Sequence, residues 1–393
     1  MKRRIEVIKM AEKKWVAGWG ASTSVISQNH AEYFKDQTFR YSFFPTISGD
    51  KVRLHFSNRY GDERATLTKA SIALSAGSHR IVSGTSVPVT FNGGEASLTL
   101  EPGKEDYVSD EIEFSAEAGK EFTVSLYFEG LTKLMTGHSN NGPYIKKYYA
   151  RGELTEAAEI PLEVLGENGP YVFLNTIDFL TEENCNAIVA FGDSITAQPW
   201  PDCLAHRLYD LGIRDRAVIR RGIGGNRILR DYRWRMKKHW GEAGVKRFER
   251  DVTNVAGADR VFVLHGINDM LHPAVDSKVC PMSELPTADE IIGGLKKYVE
   301  IAHSHGMKIY IATVLPCMRI IGVPGDRGDM RLKVNAWIRT NKEADGYIDF
   351  EEAVKKPGTI HEMVEEYDSG DHLHPSLAGA HKLADSISEQ LLQ

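Results

Sequence analysis

Ser194 follows an unbroken apolar run, Ala187-Ile188-Val189-Ala190-Phe191, with only Gly192 and Asp193 between. Such a run reads as a strand buried on both faces, and the carboxyl end of such a strand is where open α/β sheets hold their ligands. A hydroxyl placed there is a candidate nucleophile. The plain alternative is that Asp193 and Ser194 only cap the next helix, a position both favour. Downstream, Arg221-Gly222-Ile223-Gly224-Gly225-Asn226 could bring a backbone N–H close to a ligand, or merely make a tight turn. His265-Gly266-Ile267-Asn268-Asp269 could add a side-chain amide donor, or a helix cap. Asp371-His372-Leu373-His374-Pro375 sets an acid three residues from an imidazole, ahead of a proline suited to a first helical turn. Alone, each stretch is ordinary. Together they supply a hydroxyl, two oxyanion donors and an acid–imidazole pair, the parts for acyl transfer through a covalent serine ester.

The elements that must position these groups change character along the chain. Between about Trp15 and Leu180 the signals are those of strands and turns. Lys51-Val52-Arg53-Leu54-His55-Phe56 alternates strictly, residues 122–128 do much the same, and Tyr171-Val172-Phe173-Leu174 closes the region. Asn92-Gly93-Gly94, Pro102-Gly103 and Gly142-Pro143 punctuate it as turns. Short strands without a convincing helix predict an antiparallel β-sandwich of jelly-roll type. The polar stretch 181–186 reads as a junction, giving domains 1–183 and 184–393. Beyond it, strand patterns at 187–191, 217–219, 260–264, 308–314 and 347–350 alternate with helical patterns at 202–211, 228–252, 288–305, 327–343 and 376–391. That alternation predicts a parallel sheet covered on both faces, with the loops after its strands gathered on one side.

In order and spacing, Gly192-Asp193-Ser194, Gly225, Gly266-x-Asn268-Asp269 and Asp371-x-x-His374-Pro375 resemble the four sequence blocks of SGNH (GDSL-type) hydrolases. The resemblance runs from about Ala187 to the end. The N-terminal half, with Trp19-Gly20-Ala21-Ser22 and the stretch from Gly49 to Leu54, is similar to the accessory domain that precedes some bacterial members. The family resemblance implies a flavodoxin-like three-layer α/β/α fold. It implies Ser194 as nucleophile, His374 as general base and Asp371 as the acid that orients the imidazole. It also implies an oxyanion hole of the Ser194 and Gly225 N–H groups and the Asn268 amide, and no cofactor or metal. The G-x-S-x-G elbow of α/β-hydrolases is absent, because Thr196 stands where its second glycine would be. His372 is the rival imidazole, and the family spacing and Pro375 favour His374. Asp193 reads as structural, satisfying loop amides.

Length and composition narrow the classes. A chain of 393 residues exceeds one ordinary core, and 42% hydrophobic with 26% charged residues fits a folded globular protein. A net charge of -6 leaves no footprint for nucleic acid, and the basic stretch 220–238 reads as a solvated helix face. No apolar run could span a bilayer, so no membrane partner is expected. The start, Met1 to Met10, has the charges but not the apolar stretch of a signal peptide, which points to the cytoplasm. Cys185, Cys203, Cys280 and Cys317 show no paired spacing and read as buried free thiols. A homo-oligomer stays open.

The favoured reading is a metal-independent carboxylic-ester hydrolase. A lysophospholipase or lipase-like acylhydrolase is one alternative. A metal-dependent phosphoesterase built on Asp193, Asn268, Asp269, Asp371, His372 and His374 is another. A third is a glycan-binding module with an inert hydrolase half. Loops 198–202, 270–286 and 317–328 should overhang the site. Trp200, Met270, Arg319, Asp193 and His372 are therefore candidate substrate contacts. No long apolar lid helix stands out, so short acyl groups are expected, with an acetylated sugar or oligosaccharide as the favoured ester.

Overall fold

Strict alternation in Lys51–Phe56 builds the strand it predicts: Val52, Leu54 and Phe56 are fully buried, and Lys51, Arg53 and His55 are half-buried. This computed structural model describes residues 12–26, 32–139, 142–234, 236–275 and 278–393; the reading of Met1 to Met10 lies outside them. Lys51–Phe56 pairs antiparallel with Leu174–Glu182 and Tyr107–Val108, and Lys13–Gly20 completes a four-stranded sheet. A second, six-stranded antiparallel sheet is built around Gln37–Phe43 and Phe122–Phe128. Ring contacts such as Phe122 on Phe179, with centroids 5.8 Å apart, join the two sheets face to face. The region is antiparallel and β-rich, as its alternation predicts. Phe122–Phe128 departs from half-burial, since all seven residues are buried. It is paired on both edges, and the segment after it closes its outer face. There the buried Arg40 donates to Ser125 Oγ, Leu154 O and Ala157 O.

The C-terminal region holds five parallel strands in the order Arg216–Gly222, Asn186–Gly192, Ala258–Leu264, Lys308–Ala312 and Gly346–Ile348. The first strand in the chain, Asn186–Gly192, thus lies between the second and the third. Right-handed crossovers that leave it in opposite directions must put their helices on opposite faces. Trp200–Asp210 packs beside Leu377–Ser386, and Ala288–Ser304 packs beside Arg327–Thr340. The result is a three-layer α/β/α domain whose order, 2-1-3-4-5, is that of flavodoxin-like sheets. No helix among the described residues is long and apolar enough to cross a membrane.

One predicted helix is corrected. Residues 228–252 form short turns, Met236–His239, Gly244–Phe248 and Glu249–Thr253, with irregular chain before them. The backbone there is claimed from elsewhere. Ile228 and Leu229 donate their N–H groups to Asp269, Ala243 donates to Asp231, and Gly241 at φ +70° breaks the helical path. The basic stretch is corrected with it: Arg220, Arg221 and Arg227 are buried and bonded, not a solvated face.

The two regions share one contiguous hydrophobic core. Ala17 N–H donates to Ala256 O at 2.9 Å, and Thr46 Oγ1 to Arg216 O at 2.7 Å. At their junction lies Arg247, fully buried. It donates to Gly192 O (2.7 Å), Asn226 Oδ1 (2.9 Å), Arg221 O (3.1 Å) and Asp251 Oδ2 (2.7 Å). Asp251 in turn accepts from Ser22 Oγ of the β-rich region at 3.0 Å. Replacing Arg247 by Met takes one guanidinium from Asp251 and its donors from three further buried acceptors. Guanidinium unfolding followed by circular dichroism should show a loss of roughly 3–5 kcal/mol. A change of the size seen for surface substitutions would contradict this account.

Candidate active site

The loops after the parallel strands converge at the carboxyl edge of the sheet, and their side chains meet there. Gly192 ends the first strand where a Cβ would lie 2.0 Å from Leu264 O, so only glycine lets the third strand approach. The next residue, Asp193, caps a single helical turn, Ser194–Ala197, its Oδ1 accepting Ile195 N–H at 3.1 Å. Ser194 therefore begins a helix, and its own N–H has no intrahelical acceptor. Its Oγ lies 2.8 Å from His374 Nε2, 180 residues away in sequence. His374 Nδ1 lies 2.6 Å from Asp371 Oδ2. An ionised carboxylate can only accept, so Nδ1 carries the proton and Nε2 is free to accept from the serine hydroxyl.

Asp371 is held by its own loop. Its Oδ1 accepts the N–H groups of Leu373 (3.0 Å) and His374 (2.8 Å), and the Ser369 hydroxyl (3.1 Å). Partial burial works against its charge. The His374 N–H and ring, with the Leu373 N–H, outweigh that and bring the carboxyl down to about 2. His372 faces away: it is exposed, sits at φ +61°, and its Nδ1 pairs with Asp368 Oδ2 at 3.0 Å. The structure thus brings His374, not His372, to Ser194.

Gly225 lies at φ +74°, and a Cβ on it would come within 2.5 Å of the Trp240 ring. Its carbonyl accepts the Tyr232 hydroxyl at 2.7 Å, and that hydroxyl lies 2.6 Å from His272 Nδ1. Burial and nearby Arg227 push the His272 imidazole down to about 4, so it is neutral at ordinary pH. Asn268 is buried with its amide donating to Asn226 O at 3.0 Å. Asn226, next to Gly225, donates to Trp240 O and Glu242 O and accepts from Arg247. Sequence reasoning missed Asn226, Tyr232, Trp240 and Arg247. The glycine pair beside Asn226 was its only signal, and the other three carried none.

Three candidate substrate contacts are corrected. Trp200 is 1% exposed and packs edge-on against Phe350, and Met270 is 0% exposed. Asp193, at 1%, turns its oxygen to the helix N-terminus. None presents a face to a substrate. Arg319 remains half-exposed with Nη1 3.9 Å from Asp371 Oδ2. His372 lines a cavity of about 590 Å³ beside the acid loop, together with Met318, His361 and Met363. The proposed metal donors do not converge. Asp193 and Asp269 give their oxygens to backbone N–H groups, and no group of three or more His, Cys, Asp or Glu among the described residues could hold an ion.

Residues 190–382 match the model of the GDSL-like lipase/acylhydrolase family. Among solved structures, the chain is similar to a GDSL-like lipase from Bacteroides thetaiotaomicron. The two share 18% identity over 53% of this chain and 88% of that one, with a TM-score of 0.37. An acetyl-xylooligosaccharide esterase from Geobacillus matches at 19% identity over 51% and 91%, with a TM-score of 0.36. A psychrotrophic esterase from Pseudoalteromonas matches at 17% over 53% and 100%, with a TM-score of 0.37. At such scores none of these likenesses bears on what this chain acts on. No curated protein matches it in sequence.

The Asp193 carboxyl is pushed up to about 7, first by burial and then by Asp269, against the pull of Ile195 N–H and Arg247. A carboxyl raised on folding stabilises the fold fully below its unfolded value of about 4, and that contribution is lost as pH rises through about 7. Asp193→Asn keeps the helix cap, since an amide oxygen accepts as well. Measured by denaturant unfolding at about pH 5 and about pH 8, the variant should gain on the wild type at the higher pH. An equal difference at both would refute the raised carboxyl.

Proposed function

We propose that the chain is a serine esterase that hydrolyses short-chain carboxylic esters through an acyl-enzyme, with an acetylated carbohydrate as its favoured substrate. One observation carries the reading: the unbroken chain Ser194 Oγ, His374 Nε2, His374 Nδ1, Asp371 Oδ2, at 2.8 and 2.6 Å. In this reading His374 takes the hydroxyl proton as Ser194 attacks the ester carbonyl. The tetrahedral oxyanion forms against the Ser194 and Gly225 N–H groups and the Asn268 amide. His374 then returns the proton to the leaving alcohol, and a water deacylates Ser194 by the same route. Asp371 keeps Nδ1 protonated and stabilises the imidazolium. Its Oδ1 is already held by backbone N–H groups, so it need not move.

The short-acyl preference is supported by the overhanging loops. Among the described residues, segments 270–286 and 317–326 hold only short helical turns, the end of Ile267–Leu271, Met282–Glu284 and Met318–Ile320. No apolar lid lies among them to shield a long chain. The cavity beside Asp371, with His372 at its wall and Arg319 nearby, suits the alcohol portion. In the same reading, residues 1–183 form a β-sandwich accessory domain and 184–393 the hydrolase. Four free, buried cysteines suit a reducing compartment such as the cytoplasm.

Turnover of p-nitrophenyl acetate should vanish in Ser194→Ala, and a fluorophosphonate probe should label Ser194 alone; activity surviving that substitution would overturn the mechanism. Gly225→Ala meets both a left-handed φ and the Trp240 ring. It should lower kcat roughly 100- to 1000-fold, the usual effect of a lost oxyanion donor, with KM little changed. Along a series of p-nitrophenyl esters, kcat/KM should peak between acetyl and butyryl; a maximum at octanoyl or beyond would favour a lipase.

A further inference from the structure

The Tyr232 hydroxyl makes two short contacts at once, to Gly225 O at 2.7 Å and to His272 Nδ1 at 2.6 Å. It has a single proton to give, and a carbonyl oxygen can only accept. Both bonds are made only when Tyr232 donates to Gly225 O and His272 Nδ1–H donates to the Tyr232 oxygen. In a neutral imidazole that leaves Nε2 without a proton, as an acceptor. The ring is neutral because burial, then Arg227 and then Arg319, hold its pKa down to about 4. Trp240 stacks on one face of it, with centroids 4.9 Å apart and planes at 29°, which fixes the plane in which Nε2 points.

That nitrogen is uncommitted and within reach. His272 is half-buried, and its Nε2 has no hydrogen-bond partner among the described residues. His138 Nε2, also without a partner, is sealed in the interior, whereas His272 Nε2 is open to solvent. It also lies at the site. His272 follows the turn that carries Asn268 and donates its N–H to Asn268 O at 3.2 Å. Through Tyr232 it is tied to Gly225, which packs against the same Trp240 ring. Arg319, near enough to lower the His272 pKa, has its Nη1 3.9 Å from Asp371 Oδ2. The imidazole is thus framed by Gly225, Asn268 and the Arg319–Asp371 pair.

A fixed, neutral acceptor selects a hydrogen-bond donor. A carboxylate brings acceptors only, and an ether or a hydrocarbon in the same place displaces water from Nε2 and leaves it unpaired. A cation is disfavoured by Arg227 and Arg319, whose charges the ring already feels. A hydroxyl meets the requirement. We infer that His272 is a specificity-determining residue whose Nε2 accepts a free hydroxyl on the alcohol portion of the substrate, next to the ester oxygen, as vicinal hydroxyls stand on a partly acetylated sugar. The inference rests on the esterase reading and deepens it. The alcohol side is the one to which His374 returns its proton, and Asp371, with Arg319 beside it, stands behind His374. A fully acetylated polyol, which lacks the donor, is then the poorer substrate.

The test compares two esters of similar size and leaving group, 2-hydroxyethyl acetate and 2-methoxyethyl acetate, of which only the first can donate. The unsubstituted chain should prefer the hydroxyethyl ester about tenfold in kcat/KM, the usual effect of one hydrogen bond. His272→Asn keeps a polar group where Nδ1 meets Tyr232 but has nothing in the place of Nε2, so the ratio should fall to about one. His272→Gln, whose amide oxygen can stand where Nε2 does, should recover part of it. A ratio taken within one variant cancels any general loss from disturbing Tyr232 or Gly225, and the unsubstituted chain supplies its own ratio whether or not a variant folds. Three outcomes would each overturn the inference: equal turnover of the two esters by the unsubstituted chain; a preference that His272→Asn leaves intact; or a hydroxyl preference found only on the acyl side, with ethyl glycolate favoured over ethyl methoxyacetate. None of them touches the esterase reading, which fails instead if neither these esters nor p-nitrophenyl acetate is turned over.

Discussion

The buried guanidinium of Arg247 is the constraint on which the carboxyl edge of the parallel sheet depends. A charge with no access to water must find its partners in the protein, and partners that satisfy it are fixed by the same bonds. Here those partners are the last carbonyl of the first parallel strand, a carbonyl and a side chain of the loop after the second, and Asp251. The guanidinium plane also lies over the Phe191 ring at 4.1 Å, inside the sheet's own core. Two loops, one carrying the Ser194 hydroxyl and the other Gly225, are thereby set in register by one side chain. The Asn268 and His265 side chains, both bonded to Asn226 O, tie the third loop to the same point.

Arg247 is one case of a wider habit. Arg327 donates to the carbonyls of Met270, Leu271, Pro273 and Pro324, holding two overhanging loops together. Arg331 donates to Val314 O and Ile360 O while pairing with Glu351, and Arg40 holds the cover of the six-stranded sheet. Irregular segments leave carbonyls that no ladder satisfies, and a planar fork of five donors can meet several at once. The loops around Ser194 lack regular structure, yet their backbone acceptors are met by arginines rooted in the core.

This habit also explains what could and could not be read from the chain. The first parallel strand, the two alternating patterns and the four blocks were legible because they are local: burial on two faces, a period of two, and residue types at fixed spacing. That the loops gather on one edge followed from topology, since right-handed crossovers leave the strand ends there, while the pairing of Ser194 with His374 across 180 residues followed from the family resemblance. Arginines at 220, 221, 227 and 247 were illegible because an arginine in sequence reads as surface. The segment 228–252 was misread for the same reason: its helical period is real, but Asp269 and Asp231 compete for its N–H groups. Trp200 and Met270 failed as site residues because a loop position says where the backbone runs and not which way a side chain turns. Trp200 turns to Phe350, into the layer beneath.

The β-rich region is more than an appendage on these grounds. Its core is continuous with that of the α/β region, and Ser22 completes the shell of Asp251. Asp251 has three guanidinium neighbours, Arg221, Arg247 and Arg250, which outweigh its burial and hold the carboxyl down to about 2. That charge stays fixed across the ordinary pH range, so the Asp251–Arg247 pair keeps its geometry. The edge that holds Ser194 and His374 together therefore rests on an immobile frame. The frame reaches back, through one carboxylate, into the strands that precede the hydrolase fold.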